Sequence, residues 1–190
     1  AVKLKEGDEL IGAVVTQPGD ELVLATASGM AIRFPESDAR PMGRDTSGVR
    51  GIKLGKGDSL VGLVVADPSA TLLTVCEKGY GKRTPFGAGT PLTEGEPSVA
   101  TSAEESETES SGMRYRTQRR GGKGVRDIKT TARNGKVVSI VSVRDEDQVL
   151  MMTARGKLQR VNVGEIKAIG RTTQGVRIMR LDDADSLAAV

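Results

Sequence analysis

The chain is built from short, largely apolar runs, each stopped by glycine, proline or a polar pair. Leu22 to Ala25 fill one run, Ala31, Ile32 and Phe34 fill the next, and Ser28-Gly29 lies between them. Aliphatic runs of this length predict strands, and a Ser-Gly step between two of them predicts a tight hairpin. Glycine supplies the positive φ that such a turn needs. The pattern predicts hairpins from Glu21–Thr26 with Met30–Pro35, Thr71–Cys76 with Tyr80–Pro85, and Gln148–Thr153 with Lys157–Val161. A second strand pair follows a longer connection, as in Gly48–Leu54 and Ser59–Val65. Helical periodicity is not sustained over about 11 residues. Val163–Ile169 comes nearest and is too short.

The hairpins repeat, with Gly29, Gly79 and Gly156 at their turns. A later glycine follows each: Gly48, Gly124 and Gly175. The interval from Gly29 to Gly48 recurs from Gly156 to Gly175, whereas that from Gly79 to Gly124 is longer by the length of an insertion, 87–112. Removing the insertion restores the same interval in the middle copy and a period of about 50 residues throughout. Four short strands per repeat of this length predict an all-β, propeller-like ring of blades. One such blade cannot cover its own faces, so its neighbours must. Residues 1–190 read as one domain: 1–15 end a preceding blade, and 16–65, 66–144 and 145–190 form three more. Closed propellers hold about four or more blades, so a partial ring is expected. The start at Ala1, without methionine, suggests a fragment or a processed chain.

The insertion 87–112 reads GAGTPLTEGEPSVATSAEESETESSG, with six glutamates and no base. It is rich in Ser, Thr, Gly and Pro and has no hydrophobic period, so it is expected to be a disordered loop. It is either a solvated insertion of no consequence or an acidic flap that competes for a basic surface. The small net charge of +3 conceals this segregation. All 28 bases lie outside the insertion and face 19 of the 25 acids there, a surplus of nine.

Composition narrows the chemistry. Histidine is absent and Cys76 is the one cysteine, so His/Cys metal sites, disulfides and imidazole-based catalysis have no residues to use. A lone thiol fits a reducing cytosol. Neither a signal peptide nor a run of about 20 apolar residues is visible. Tyr80 and Tyr115 are read as strand and loop residues, since no acid/base constellation accompanies them. No metal or catalytic residue is assigned.

Five basic positions recur in all three copies. They are Arg33, Arg83 and Arg160; Arg40, Arg116 and Lys167; Arg44, Arg120 and Arg171; Arg50, Arg126 and Arg177; and Lys53, Lys129 and Arg180. In a ring of blades, equivalent positions fall on equivalent surface, so a repeated cation becomes a curved positive rim. Local ion pairs could account for such charges, but repeated acids are few: Asp58 and Asp185 correspond, without an acid in the middle copy. Unpaired repeated bases point to a polyanion bound through counterion release. Four aromatic residues are too few for stacking single strands, which favours duplex DNA held and bent through its backbone. The string Gln118-Arg119-Arg120-Gly121-Gly122-Lys123-Gly124 precedes the third strand of the middle copy. Its arginines offer forked donors, and its glycines could let successive amides form an anion-binding nest.

The stretches AVKLKEGDELIGA, MGRDTSGVRGIKLGKGD, EKGYGKRTPF, KGVRDIKTTARNGKVV and GRTTQGVRI resemble the C-terminal domain family of DNA gyrase A. QRRGGKG is similar to that family's signature box, which separates gyrase from topoisomerase IV. The resemblance covers nearly everything outside 87–112. It implies a β-pinwheel, a propeller-like ring whose strands are exchanged between blades. It also implies a non-catalytic module that wraps duplex DNA so that the holoenzyme can introduce negative supercoils with ATP. The implied partners are double-stranded DNA, the breakage-reunion domain of the same polypeptide, and gyrase B in an A2B2 heterotetramer. ATP and Mg2+ would belong to other domains, and the setting would be the cytoplasmic nucleoid. Two rival readings stay open: the corresponding domain of topoisomerase IV, and a propeller that binds an acidic protein.

Overall fold

The computed structural model describes residues 4–87 and 112–190. The acidic insertion, apart from Gly87 and Gly112 at its ends, lies outside the described residues. Eleven strands are present among them: β1 (Glu21–Thr26), β2 (Met30–Pro35), β3 (Leu60–Val65), β4 (Thr71–Cys76), β5 (Tyr80–Pro85), β6 (Val125–Arg126), β7 (Val137–Val143), β8 (Gln148–Thr153), β9 (Leu158–Asn162), β10 (Val176–Arg177) and β11 (Leu187–Ala189). The helical candidate Val163–Ile169 is reduced to one 3-10 turn, Val163–Glu165.

The strands form three antiparallel sheets, ordered β3-β1-β2-β6, β7-β4-β5-β10 and β11-β8-β9. All three hairpins lie where the apolar runs place them, and Leu24 pairs with Ile32 just as Thr74 pairs with Lys82. The fourth strand differs from a contiguous blade. Val125 and Arg126, in the middle copy's Gly-Val-Arg triplet, pair with Ala31 and Met30 of the first copy. Val176 and Arg177 of the last copy pair with Gly81 and Tyr80 of the middle one. Each of these two hairpins takes its outer strand from the following repeat, so ranges such as 16–65 supply three strands of a sheet and not four. Gly48–Leu54, expected as a strand, carries no strand assignment. The hairpin it would join belongs to the position before β1, where the described residues offer none. The arrangement is the propeller-like, strand-exchanged pinwheel.

The sheets bury one another. Val23, Ala25 and Ala31 share one core with Leu72, Tyr115, Ile128 and Ile140, between the first and second sheets. Leu73 and Val75 turn the other way, onto Val149, Met151, Met179 and Leu187. Alternate residues of one strand therefore serve two cores, which is why β4 is buried at nearly every position. β8 is buried only at alternate positions, because among the described residues the third sheet has a neighbour on one side alone. A third core, of Leu22, Leu24, Ile32, Phe34 and Ile52, lies within the first repeat. Each buried aliphatic side chain contributes about 1.5–3 kcal/mol, so the two shared cores bind neighbouring blades to one another.

The turn glycines show the same dependence. Gly29 and Gly79 have φ of +84° and +75°, and a Cβ on either would strike the main-chain oxygen of Ile128 or Met179 in the next repeat. Gly156 has φ of +85° but open space around it. Positive φ is a local demand of the hairpin; the close approach comes from the repeat that follows.

Candidate nucleic-acid interface

The five repeated basic positions separate into two kinds. Arg40, Arg116 and Lys167 are exposed, as are Arg50, Arg126 and Arg177, and Lys53, Lys129 and Arg180. None of these nine forms a salt bridge among the described residues. Arg160, Arg44, Arg119 and Lys123 are exposed as well.

Three of the expected rim residues are not at the surface. Arg33 is 1% exposed, pairs with Glu21, and donates from Nη1 to the carbonyls of Phe86 (2.8 Å) and Tyr115 (3.1 Å). Arg83 is 5% exposed, pairs with Asp145, and donates from Nε to the Ile166 carbonyl at 2.6 Å. These arginines clamp the following repeat's connection onto the hairpin, where backbone carbonyls would otherwise be buried without donors. Their backbones do the same: Gln118 donates to the Arg33 carbonyl at 2.7 Å and Ile169 to that of Arg83 at 2.8 Å. Arg171 is 4% exposed and donates from Nη1 to the Arg126 carbonyl at 3.2 Å. The expectation of a solvent-facing rim therefore fails at Arg33, Arg83 and Arg171, because the charge is needed inside the blade junction. Arg160 escapes burial because, among the described residues, no further repeat packs on it.

The Gln118–Gly124 box lies across the junction between the first two repeats. Gly121 donates its amide to the Gly51 carbonyl at 2.7 Å, and the Gly122 carbonyl accepts from the Lys53 amide at 2.8 Å. Arg120 donates from Nε to the Asp38 carbonyl at 2.9 Å and from Nη1 to the Arg50 carbonyl at 2.6 Å. Gly124 has φ of +76°, and a Cβ there would collide with the Ala31 carbonyl. Gly124 thus admits a neighbouring backbone, and the Gln118 and Gly121 amides are occupied by protein. This departs from the expected anion nest. Arg119 and Lys123 remain the box's exposed cations.

Beside β6 lies a buried cluster that no sequence motif announced. Lys82 and Asp127 are fully buried and paired at 2.7 Å. Thr74 donates to Asp127 at 2.7 Å, Tyr115 donates its phenol proton to the same carboxylate, and Lys82 also donates to Thr84 at 2.6 Å. Burial, followed by the nearby Asp127 charge, holds the Tyr115 phenol well above its usual range. The only sequence signal was a lysine and an aspartate at positions where the first repeat has Ile32 and Gly51. Elsewhere in the middle blade, Tyr80 carries two guanidiniums: Arg177 donates to its hydroxyl at 2.9 Å and Arg133 at 3.3 Å. No group of three or more His, Cys, Asp or Glu among the described residues could hold a metal ion.

The chain matches the family described as DNA gyrase C-terminal domain, beta-propeller, over residues 1–17, 20–67, 114–144 and 147–190. DNA gyrase A of Escherichia coli (strain K12) is 42% identical over 190 residues, covering 100% of this chain and 19% of that protein. DNA gyrase A of Mycobacterium tuberculosis (strain ATCC 25618 / H37Rv) is 36% identical over 192 residues, covering 100% and 20%. The chain thus spans about a fifth of the length of these relatives. A solved DNA gyrase A C-terminal domain superposes with a TM-score of 0.79 at 26% identity, covering 99% of this chain and 55% of that one. A solved C-terminal domain of DNA topoisomerase IV reaches the same TM-score at 20% identity, covering 99% and 51%, which is a likeness of fold alone. Sequence match, sheet order and repeat spacing agree, and the chain belongs to the DNA gyrase C-terminal domain family of β-propellers.

Proposed function

We propose that this chain is a non-catalytic module that binds duplex DNA and bends it around the outer edge of the blades. The observation that carries this reading is the set of nine exposed bases at three repeated positions, none salt-bridged among the described residues. Cations without a carboxylate partner gain most from phosphates, whose condensed counterions they release. Repetition at the blade period spreads these contacts along a curve, which favours a bent duplex over a straight one. The relatives named as DNA gyrase A support the finer reading. There the module presents a wrapped segment to the breakage-reunion domain of its own polypeptide, with gyrase B supplying ATP-driven passage and A2B2 as the assembly. Chemistry, ATP and Mg2+ belong outside this chain in that reading, and its setting is the cytoplasm.

Fold does not separate gyrase from topoisomerase IV, since both solved domains superpose equally well. The named relatives favour gyrase. Anisotropy of a labelled duplex across a salt series tests the binding. The slope of log K against log salt is expected at about −0.9 per neutralised phosphate. A flat line would instead favour an acidic protein partner. Ligation of relaxed circles in the presence of the chain tests the wrap, with shifted topoisomers expected and an unchanged distribution counting against it.

A further inference from the structure

We propose that Tyr80, Arg133 and Arg177 form a clamp for a single backbone phosphate of the duplex, in which the repeated cation Arg177 is joined by two residues outside the repeated set. The proposal rests on the DNA-binding reading above. Arg177 belongs to β10, the strand given to the middle blade by the last repeat, and Arg133 to the turn before β7. Both arginines are exposed. Their guanidinium carbons lie 5.4 and 5.1 Å from the centroid of the same Tyr80 ring. Two like charges converging on one ring repel, and neither forms a salt bridge among the described residues. The ring face offsets part of that repulsion. An anion between the forks would offset the rest.

The phenol selects the same kind of ligand. Its oxygen accepts from both arginines, at 2.9 and 3.3 Å, so its own proton is left to donate. No acceptor is paired with that proton among the described residues. The two arginine hydrogen bonds, Arg133's first, also lower the phenol's pKa, which makes it a stronger donor. The clamp is held in shape before any ligand arrives. Asn134 donates from Nδ2 to the Lys129 carbonyl at 2.9 Å and to the Gln174 carbonyl at 3.1 Å, and Lys129 donates its amide to the Thr173 carbonyl at 2.8 Å. These bonds fix the Arg133 turn against the segment that leads into the strand carrying Arg177. The other repeats have Met30 and Lys157 where this one has Tyr80, so the site is confined to the middle blade.

The test compares the full chain with Tyr80→Phe and with the pair Arg133→Gln/Arg177→Gln, using a short labelled duplex across a salt series. Ring-proton NMR shifts of Tyr80 on titration with inorganic phosphate give a second readout. The double variant is expected to weaken duplex binding at low salt and to make the log–log slope shallower by about 0.9, one phosphate's worth. Tyr80→Phe should weaken binding severalfold with the slope kept, since no charge is lost. Both variants should keep the wild-type circular dichroism spectrum. Wild-type affinity and slope in the double variant, beside a steep slope in the unaltered chain, would reduce the cluster to a structural staple and overturn the clamp. If the unaltered chain binds no duplex, the DNA-binding reading fails and the phosphate titration decides the clamp by itself. A Tyr80 shift abolished in the double variant then sustains it, and the absence of any shift overturns it.

Discussion

Arg120 closes its Nη1 on the main-chain oxygen of Arg50 in the preceding repeat, at 2.6 Å, and Arg171 makes the equivalent bond to the oxygen of Arg126, at 3.2 Å. One arginine of each pair is therefore mortar, and the other keeps its own charge at the surface. Sequence identity at a repeated cation does not reveal which of these roles it has.

Arg120→Ala should lower stability by about 1.5–3 kcal/mol, since it removes charged donors from two carbonyls at a junction. Arg119→Ala, at an exposed position, should stay within about 0.5 kcal/mol of wild type. Urea denaturation separates the two. A double Arg119→Ala/Lys123→Ala variant should weaken duplex binding with its denaturation midpoint unchanged. A shifted midpoint there would show that the box's exposed cations are structural as well.

The Lys82–Asp127 pair is expected to cost about 3–5 kcal/mol when either member alone is made apolar, because the other charge is left buried. The first repeat supplies the remedy. Leu24 and Ile32 occupy the cross-strand pair that Thr74 and Lys82 occupy in the second sheet, and Gly51 lies against Leu24 as Asp127 lies against Thr74. Combining Thr74→Leu, Lys82→Ile, Asp127→Gly and Tyr115→Phe should recover most of the single-variant loss. Thermal melts of the singles and the combined variant give the comparison; equal loss in all would mean that the apolar set does not transfer.

Asp67 has its carboxyl lowered from 3.8 to about 2, chiefly by the Ser69 hydroxyl and then by Arg144, which it meets at 2.6 Å. A depressed folded-state pKa stabilises the fold above the unfolded value and loses that effect as pH falls through the folded one. Asp67→Asn should therefore be less stable than wild type above about pH 4, with the gap closing towards about pH 2. Added salt should shrink it, since both partners are partly exposed. Denaturation midpoints at several pH values test this, and a gap that persists at about pH 2 would count against it.

Cys76 is fully buried, and burial, followed by the Asp127 charge, pushes its thiol up to about 12. It should resist thiol reagents in the native state and react once the second sheet opens. Labelling rates across a urea series should follow global unfolding. Rapid native labelling would place the opening of the middle blade well below it.

Removing 87–112 should raise duplex affinity at low salt, since six glutamates leave while every base stays. The flanking segments meet at one place, where Tyr115 donates its amide to the Phe86 carbonyl at 3.4 Å, so a short link can replace the insertion. Unchanged affinity and salt slope would mark the acids as bystanders.

The hairpins were legible because their causes are local. Glu21–Thr26 with Met30–Pro35 needs an aliphatic run, a glycine able to take positive φ, and a second run, all in one short stretch of chain. The repeat period was legible for the same reason. Gly48–Leu54 forms no strand because the hairpin it would pair with belongs to another repeat, a relation that no window on the sequence contains. The repeated bases were legible as a set, but which of them the next repeat would bury, as at Arg33, Arg83 and Arg171, was not. Tyr80 with its two arginines was not, because Arg133 and Arg177 are brought together across an exchanged strand.

Alternation of apolar residues and the placing of glycines settled which segments extend and where they reverse, since backbone sterics and side-chain period act over a few residues. Stacking of the sheets decided which cations stay in solvent. An arginine's fate depends on whether the next repeat's carbonyls arrive beside it, as they do at Arg33 and Arg83 and do not at Arg160. That meeting joins residues a full repeat or more apart in sequence, and packing between blades brings it about.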